Sequence, residues 1–268
     1  MIEAYLNRIG YAEPLGVDMA TLRGIQRAEM AAVAYENIGM HLERRFVMEE
    51  HSFVQQIIEE GRGGWCYQRN GLLTAVLQKI GFKVTRVGSC IKRDTLGEDA
   101  FGDHLIGLVD LDKRYVVDAG LGLGPIDPYP LEEREWQEGG FHFRLERLDE
   151  RWWRFHNHED WIGHDFTEEP RELGWFENQC CRLQDDETSY FRNNAIVISW
   201  STDSGFQVLA EDRHSCHHNG TSTRRQIQTE EDYANTLTGL LGKSLGSGII
   251  TLWTGVRARS VAREQSET

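Results

Sequence analysis

Gly61-Arg-Gly-Gly-Trp-Cys-Tyr-Gln-Arg-Asn70 places one cysteine directly behind a glycine-rich joint and directly ahead of a run with helical spacing. Upstream, Phe53-Val-Gln-Gln-Ile-Ile-Glu-Glu60 reads as a helix that begins near Ser52 and stops at Gly61; downstream, Cys66, Leu73, Val76, Leu77 and Ile80 recur near helical spacing. Cys66 therefore falls at a helix N-terminus. There the first backbone N–H groups lack intrahelical acceptors, and the positive end of the helix dipole favours thiolate over thiol. Gly63 and Gly64 are expected to let the backbone turn tightly and a substrate approach closely. On position alone, a buried packing cysteine in a helix-connecting turn fits as well as a nucleophile.

The rest of the first eighty residues also reads as helical. Met1 to Ile9 is a short segment closed by Gly10, and Asp18 N-caps a second whose apolar face runs Leu22, Ile25, Ala28 and Ala32. From Gly81 the pattern turns to strands. Lys83-Val-Thr-Arg-Val87 is followed by His104-Leu-Ile-Gly-Leu-Val109 and Arg114-Tyr-Val-Val-Asp118, the last two flanking the polar turn Asp110-Leu-Asp-Lys113 as a hairpin. Further strands are expected around Phe141-His-Phe-Arg-Leu145, Trp152-Trp-Arg-Phe155, Asn194 to Trp200 and Gly205 to Leu209, with a hairpin turning at Asn219-Gly220. Thr229 caps a last helix closed by Gly242, and Gly248-Ile-Ile-Thr-Leu-Trp253 reads as a terminal strand. No Pro/Ser-rich linker separates these regions, so they are expected to pack together.

The bulk numbers narrow the function. The 268 residues are enough for a sizeable core, and the formal charge of -14, from 43 acidic against 29 basic residues, argues against nucleic acid or anionic lipid as a partner. No apolar run is long enough for a membrane span and the start of the chain has no signal-peptide pattern, so a soluble, cytoplasmic protein is expected. Five cysteines, Cys66, Cys90, Cys180, Cys181 and Cys216, form an odd set without C-x-x-C spacing, which fits reduced thiols.

A nucleophilic cysteine needs a base, and the base an orienting partner. His104 and Asp118 lie on the two arms of one hairpin. Pairing symmetric about Leu111 sets them opposite each other on one face, whereas a two-residue turn at Asp112-Lys113 puts them on opposite faces. In the productive arrangement Asp118 fixes the imidazole tautomer and the other ring nitrogen takes the proton of Cys66.

Arg62-Gly-Gly-Trp-Cys-Tyr-Gln-Arg-Asn70, then His104-Leu, then Val117-Asp-Ala-Gly-Leu-Gly122 resemble the arylamine N-acetyltransferase family. Ile2-Glu-Ala-Tyr-Leu-Asn-Arg-Ile-Gly-Tyr11 is similar to that family's opening helix, and Ala34-Tyr-Glu-Asn-Ile38 to its Pro-Phe-Glu-Asn-Leu signature. The resemblance is strong over residues 1–124 and weak beyond. It implies an α+β fold: an N-terminal helical bundle over 1–80 carrying the nucleophile, a β-barrel over 81–190 carrying His and Asp, and an α/β lid over 191–268, with a core like that of papain-like peptidases and transglutaminases. It further implies Cys66 as the acetyl-accepting nucleophile, His104 as its base, Asp118 as the orienting residue, and a structural ion pair between Glu36 and Arg62. Leu121 and Gly122 would border the substrates, Leu121 standing where the family commonly carries Phe. The implied reaction is ping-pong transfer from acetyl-CoA through an acetyl-cysteine to an aromatic amine or hydrazine, with no metal and no tightly bound cofactor. A cysteine hydrolase or amide synthase of the same triad type, or a transferase using a longer acyl-CoA, is the alternative. Past residue 124 the family's Ser/Thr-Pro-x-Ser-x-Phe segment has become Asp185-Asp-Glu-Thr-Ser-Tyr-Phe191.

Other motifs carry less. His214-Ser-Cys-His-His218 holds zinc-ligand types, but strand alternation sends neighbours to opposite faces. Leu241-Gly-Lys-Ser244 lacks the first glycine of a phosphate loop and reads as a helix end. The sequon Asn219-Gly-Thr221 matters only in a secreted protein. Asp185-Asp-Glu187 is read as solvated surface, and Cys90, Cys180 and Cys181 as packing residues.

Overall fold

A computed structural model of the chain describes residues 1–266. Helix α1 (Ile2–Ile9) ends at Gly10 in the left-handed conformation, φ 69°. Helix α2 (Met19–Ala32) begins where the Asp18 side chain accepts the Thr21 N–H at 2.8 Å. Strand β1 (Tyr35–Glu36) and the single turns α3 (Ile38–His41) and α4 (Glu50–Phe53) follow, α4 running on into a π-helical segment, Val54–Glu59, that stops at Gly61. Helix α5 (Cys66–Ile80) is buried at all twelve positions from Cys66 to Leu77, so it is a central core helix rather than an amphipathic one.

The strands then wrap α5. Strands β2 (Lys83–Ile91), β3 (His104–Asp110), β4 (Arg114–Val117), β5 (Tyr129–Pro130), β6 (Arg134–Glu138), β7 (Phe141–Arg147), β8 (Trp153–His156) and β9 (His164–Pro170) form one antiparallel sheet in the order β5-β4-β3-β2-β9-β8-β7-β6, a single turn α6 (Arg93–Leu96) lying between β2 and β3. The implied barrel is realised as a curled open sheet. Tyr129 of β5 meets Trp136 of β6 with ring centroids 5.0 Å apart, and Phe155 packs on both, so side chains rather than hydrogen bonds bring the two edge strands together.

Helices α7 (Glu177–Asp185) and α8 (Tyr190–Asn193) lead into strands β10 (Ile196–Ser201), β11 (Gly205–Ala210), β12 (Arg213–His218) and β13 (Thr221–Gln226), which extend β1 into a second antiparallel sheet, β1-β10-β11-β12-β13. Asn219 and Gly220, both at positive φ, close the β12–β13 hairpin. Helix α9 (Glu230–Leu241) starts at Thr229, whose hydroxyl accepts from Asp232 N at 3.2 Å, and ends at Gly242, φ 69°.

The terminal strand expected at Gly248–Trp253 is instead the start of helix α10 (Gly248–Ser266). Ile249, Leu252 and Val256 recur at helical spacing and bury against Tyr233 and Leu237 of α9. A six-residue window rich in β-branched residues stops short of that period.

Candidate active site

Cys66 is the first residue of α5, and the elements around it are set by close contact rather than by loop freedom. Neither Gly63 nor Gly64 has positive φ; Gly61 does, at 61°. The two glycines are required because their own chain presses on them. A Cβ on Gly63 would run into the Ala34 carbonyl, and one on Gly64 would lie 2.9 Å from Gln68 Cβ. Gly64 N donates to Ala34 O at 3.1 Å and Gly64 O accepts from Glu36 N at 3.0 Å, stitching the joint onto β1. Arg62 Nη2 reaches Glu36 Oε1 at 3.1 Å, with both side chains nearly buried. The Gln68 side chain takes the Trp65 N–H at 3.2 Å and so fixes the first turn of α5.

The hairpin carries His104, with Asp118 just beyond its second strand. Its register pairs Gly107 with Val117 and Asp110 with Arg114 around the three-residue loop Leu111-Asp112-Lys113. Pairing is therefore centred on Asp112, which differs from both registers considered above. Asp118 falls two residues from the position directly across from His104, so the two side chains still share a face. His104 Nε2 and Asp118 Oδ2 lie 2.7 Å apart, and the Cys66 side chain is near enough to the His104 ring to help raise its pKa. Cys66 Sγ stands 3.7 Å from the Asp103 carbonyl oxygen. Cys66, His104 and Asp118 are all buried, so solvent screens these interactions little.

Burial disfavours an imidazolium at His104, yet Asp118 and Cys66 outweigh it and hold the ring's pKa well above the ordinary histidine value. Burial would likewise raise the Asp118 carboxyl, but His104 and the Asn70 amide keep it below the usual carboxylate range. Burial pushes the neighbouring Asp103 carboxyl up to about 7. The Cys90 thiol, buried elsewhere, rises to about 12, and Cys180 is raised as well, as inert thiols are.

Several side chains that hold this geometry carry no sequence signal of their own. Asn70, one turn along α5 from Cys66, donates to Asp118 Oδ1 at 2.7 Å and to Leu105 O at 2.6 Å, and accepts from Ala119 N at 2.8 Å. Gln26 of α2 accepts the Asp118 N–H at 3.3 Å. Glu29, one turn further along α2, pairs through both oxygens with Arg69, at 3.0 and 2.7 Å, in full burial. Gly120 lies directly over Cys66: a Cβ there would stand 2.7 Å from Cys66 Cα. Leu121 is half-buried, and Gly122, at φ 85°, packs so closely that a Cβ would lie 2.7 Å from Ile198 Cδ1 and 3.4 Å from the Tyr35 ring. His164 of β9 shares the burial without joining the hydrogen-bonded triad: its Nε2 lies 3.9 Å from Asp118 Oδ2, and burial lowers its pKa to about 3.

The cluster on β12 does not converge. His214 Nε2 and Cys216 Sγ approach Gln207 Oε1 at 3.0 and 2.9 Å, whereas His217 turns to Ser222. Among the described residues, no helix is long and apolar enough to cross a membrane.

The family profile described as N-acetyltransferase matches residues 18–248. Human arylamine N-acetyltransferase 1 is 30% identical over 78% of this chain and 80% of its own length, and mouse arylamine N-acetyltransferase 2 is 28% identical over 91% and 94%. The structure of Mycobacterium marinum arylamine N-acetyltransferase in complex with CoA superposes with a TM-score of 0.86 at 20% identity, covering 96% of this chain and 98% of that one. The Nocardia farcinica arylamine N-acetyltransferase structure gives 0.84 at 27% identity over 95% and 93%. The fold and the family profile make the chain an acyltransferase, and it belongs to the arylamine N-acetyltransferase family.

Proposed function

We propose that Cys66, His104 and Asp118 transfer an acetyl group from acetyl-CoA to the nitrogen of an aromatic amine or hydrazine, in the cytoplasm and without a tightly bound cofactor. The observation that carries this reading is the buried His104 ring, with Asp118 Oδ2 2.7 Å from Nε2 and the Cys66 side chain nearby. Asp118 accepts the Nε2 proton, which leaves Nδ1 as the acceptor for the thiol proton. The resulting thiolate attacks the thioester carbonyl of acetyl-CoA, the C–S bond to CoA breaks, and CoA leaves as its thiol with the proton that His104 returns. The acetyl-cysteine keeps the reactivity of a thioester. The amine nitrogen then attacks it, His104 takes the nitrogen's proton, and the Cys66 thiol is released.

The Cys66 amide, in the first turn of α5, has no intrahelical acceptor and in this reading donates to the tetrahedral oxyanion. Leu121 and Gly122 border the acceptor, and the Glu36–Arg62 pair anchors the joint that carries Cys66. Incubation with acetyl-CoA alone, read by intact mass and peptide mapping, is expected to load acetyl on Cys66, to fail in Cys66→Ala, and to be reversed by an arylamine. Release of CoA with no adduct at Cys66 would move the reading to a hydrolase.

A further inference from the structure

His164 is a buried histidine outside the triad chemistry, and its surroundings prepare one ring nitrogen. Ser89 Oγ donates to Asp165 O at 3.0 Å and, its one proton thus committed, accepts from His164 Nδ1 at 2.7 Å. His164 therefore carries its proton on Nδ1. The Nε2 lone pair points inward and meets no hydrogen-bond partner. Its neighbours there are Asp118 Oδ2 at 3.9 Å and the His104 ring, whose centroid is 5.2 Å from its own. His104, Asp118 and His164 each offer one ligand atom, all within 4.8 Å of one another.

We propose that His104 Nε2, Asp118 Oδ2 and His164 Nε2 form a binding site for a divalent transition-metal ion, zinc being the ion that suits it best, and that occupation shuts off the acyltransferase. Two imidazoles and one carboxylate are a common donor set for zinc, and a tetrahedral ion with bonds of about 2.1 Å needs ligand atoms about 3.4 Å apart. Asp118 Oδ2 now lies 2.7 Å from one imidazole nitrogen and 3.9 Å from the other, so one edge must lengthen by about 0.7 Å and the other shorten by about 0.5 Å, and the remaining edge starts within 4.8 Å. The Ser89–His164 hydrogen bond is the outer support that orients a ligating imidazole. His164 also lines a cavity of about 400 Å³ with Lys92, Arg154 and Trp161, which His104 and Asp118 do not line.

Cys66 is not among the ligands; on the transferase reading it faces the other nitrogen of His104. The metal takes the Nε2 lone pair of His104, and the single ring proton moves to Nδ1. No acceptor is then left for the thiol proton, Cys66 keeps it, and acetyl loading stops. Only this inhibitory arm rests on the transferase reading; metal binding stands without it.

The test adds zinc to the chelator-treated full chain and reads bound metal by elemental analysis and competition with a chromogenic chelator. About one zinc per chain is expected in the native protein and in Cys66→Ser, with binding at least tenfold weaker in His164→Phe. Ser89→Ala, the second variant should His164→Phe not fold, is expected to bind about 10–100-fold more weakly. In parallel, zinc should suppress acetyl loading of Cys66 at least tenfold in the native chain, reversibly with EDTA, and leave Ser89→Ala largely active at the same free zinc. No zinc uptake by the native chain, uptake unchanged in both the His164 and Ser89 variants, or uptake lost in Cys66→Ser would overturn the assignment.

Discussion

The hairpins β3–β4 and β12–β13 both place histidines on antiparallel strands, and they surround those histidines differently. In β3–β4 the run from His104 to Val109 is buried beneath α5, and two further segments meet there: Asp118, just past β4, bonds the His104 ring and is itself held by Asn70 of α5, and Cys66 begins the same helix. In β12–β13 every residue of β13 is exposed, and the ring nitrogens of His214 and His217 end on Gln207, Ser215 and Ser222, neutral groups beside solvent. The residue types are comparable; the partners are not. A base requires a carboxylate on one nitrogen and a proton donor on the other, both shielded from water, and the hairpin register together with an overlying helix supplies them only in the first case.

The largest expected effect comes from removing the partner that the exposed hairpin lacks. Asp118→Asn replaces an acceptor by an amide that can donate to His104 Nε2, so the ring proton moves to Nδ1 and the thiol has no acceptor. Acetyl loading of Cys66, followed by rapid quench and mass spectrometry, is expected to fall by about 10³–10⁴-fold with the fold intact. Asn70→Ala sharpens the point. It leaves the Ala119 N–H unpartnered and removes one of the two donors to Asp118 Oδ1, the Gly120 N–H remaining at 2.9 Å, with a stability loss of about 1–3 kcal/mol in chemical denaturation and a smaller loss of rate. Loading at the native rate in Asp118→Asn would mean that burial and the helix terminus alone activate Cys66.

A second, intermediate effect concerns pH. Burial holds the Asp103 carboxyl at about 7, against about 3.9 in an unfolded chain. At pH 3 the group is protonated in both states and costs nothing. As pH rises from about 4 to 7 the unfolded state gives up its proton while the folded state keeps it, so stability is lost across that window, in total on the order of 4 kcal/mol. Asp103→Asn keeps the acceptor for Ile91 N and removes the titration. Its melting temperature should match the native protein near pH 4 and exceed it increasingly up to pH 8. A gap between the two that does not change with pH would show that water reaches this carboxyl and that the catalytic hairpin is less dry than its geometry implies.

How much of this could be read beforehand depends on the range of the signal. Cys66 at a helix N-terminus, the Asp18 and Thr229 caps and the closing turns at Gly10 and Gly242 are local patterns, and they stand in the structure as the sequence reading has them. Gln26 and Glu29 lie on the buried side of α2, where spacing predicts apolar residues, and their partners, Ile126, Asp118 and Arg69, are 40 to 100 positions away. No short window contains both halves of such a bond. Strand β9, with His164, was missed because it carries one aromatic core residue, Phe166, among charges; Asp165 is held by Arg93 and Arg154, and Glu168 by Arg114 and Trp153. Compensated charge in a central strand looks like loop in one dimension. The α10 helix shows the converse error, a β-rich hexapeptide overruled by the longer period that packs on α9.

The smallest expected effect falls on the other hairpin. The double variant His214→Ala/Cys216→Ser removes both side chains that approach Gln207, and water can replace them because β12 is only half-buried along this face. Stability should change by no more than about 0.5 kcal/mol, the usual range for surface substitutions. Acetyl loading of Cys66 should be unchanged, since neither side chain touches Cys66, His104, Asp118 or the residues that hold them. A rate loss without a stability loss would place β12 in contact with a substrate. In that case the contrast between the hairpins would no longer be one of buried chemistry against exposed scaffold, but of one hairpin that makes the acetyl-enzyme and another that helps to bring its substrates.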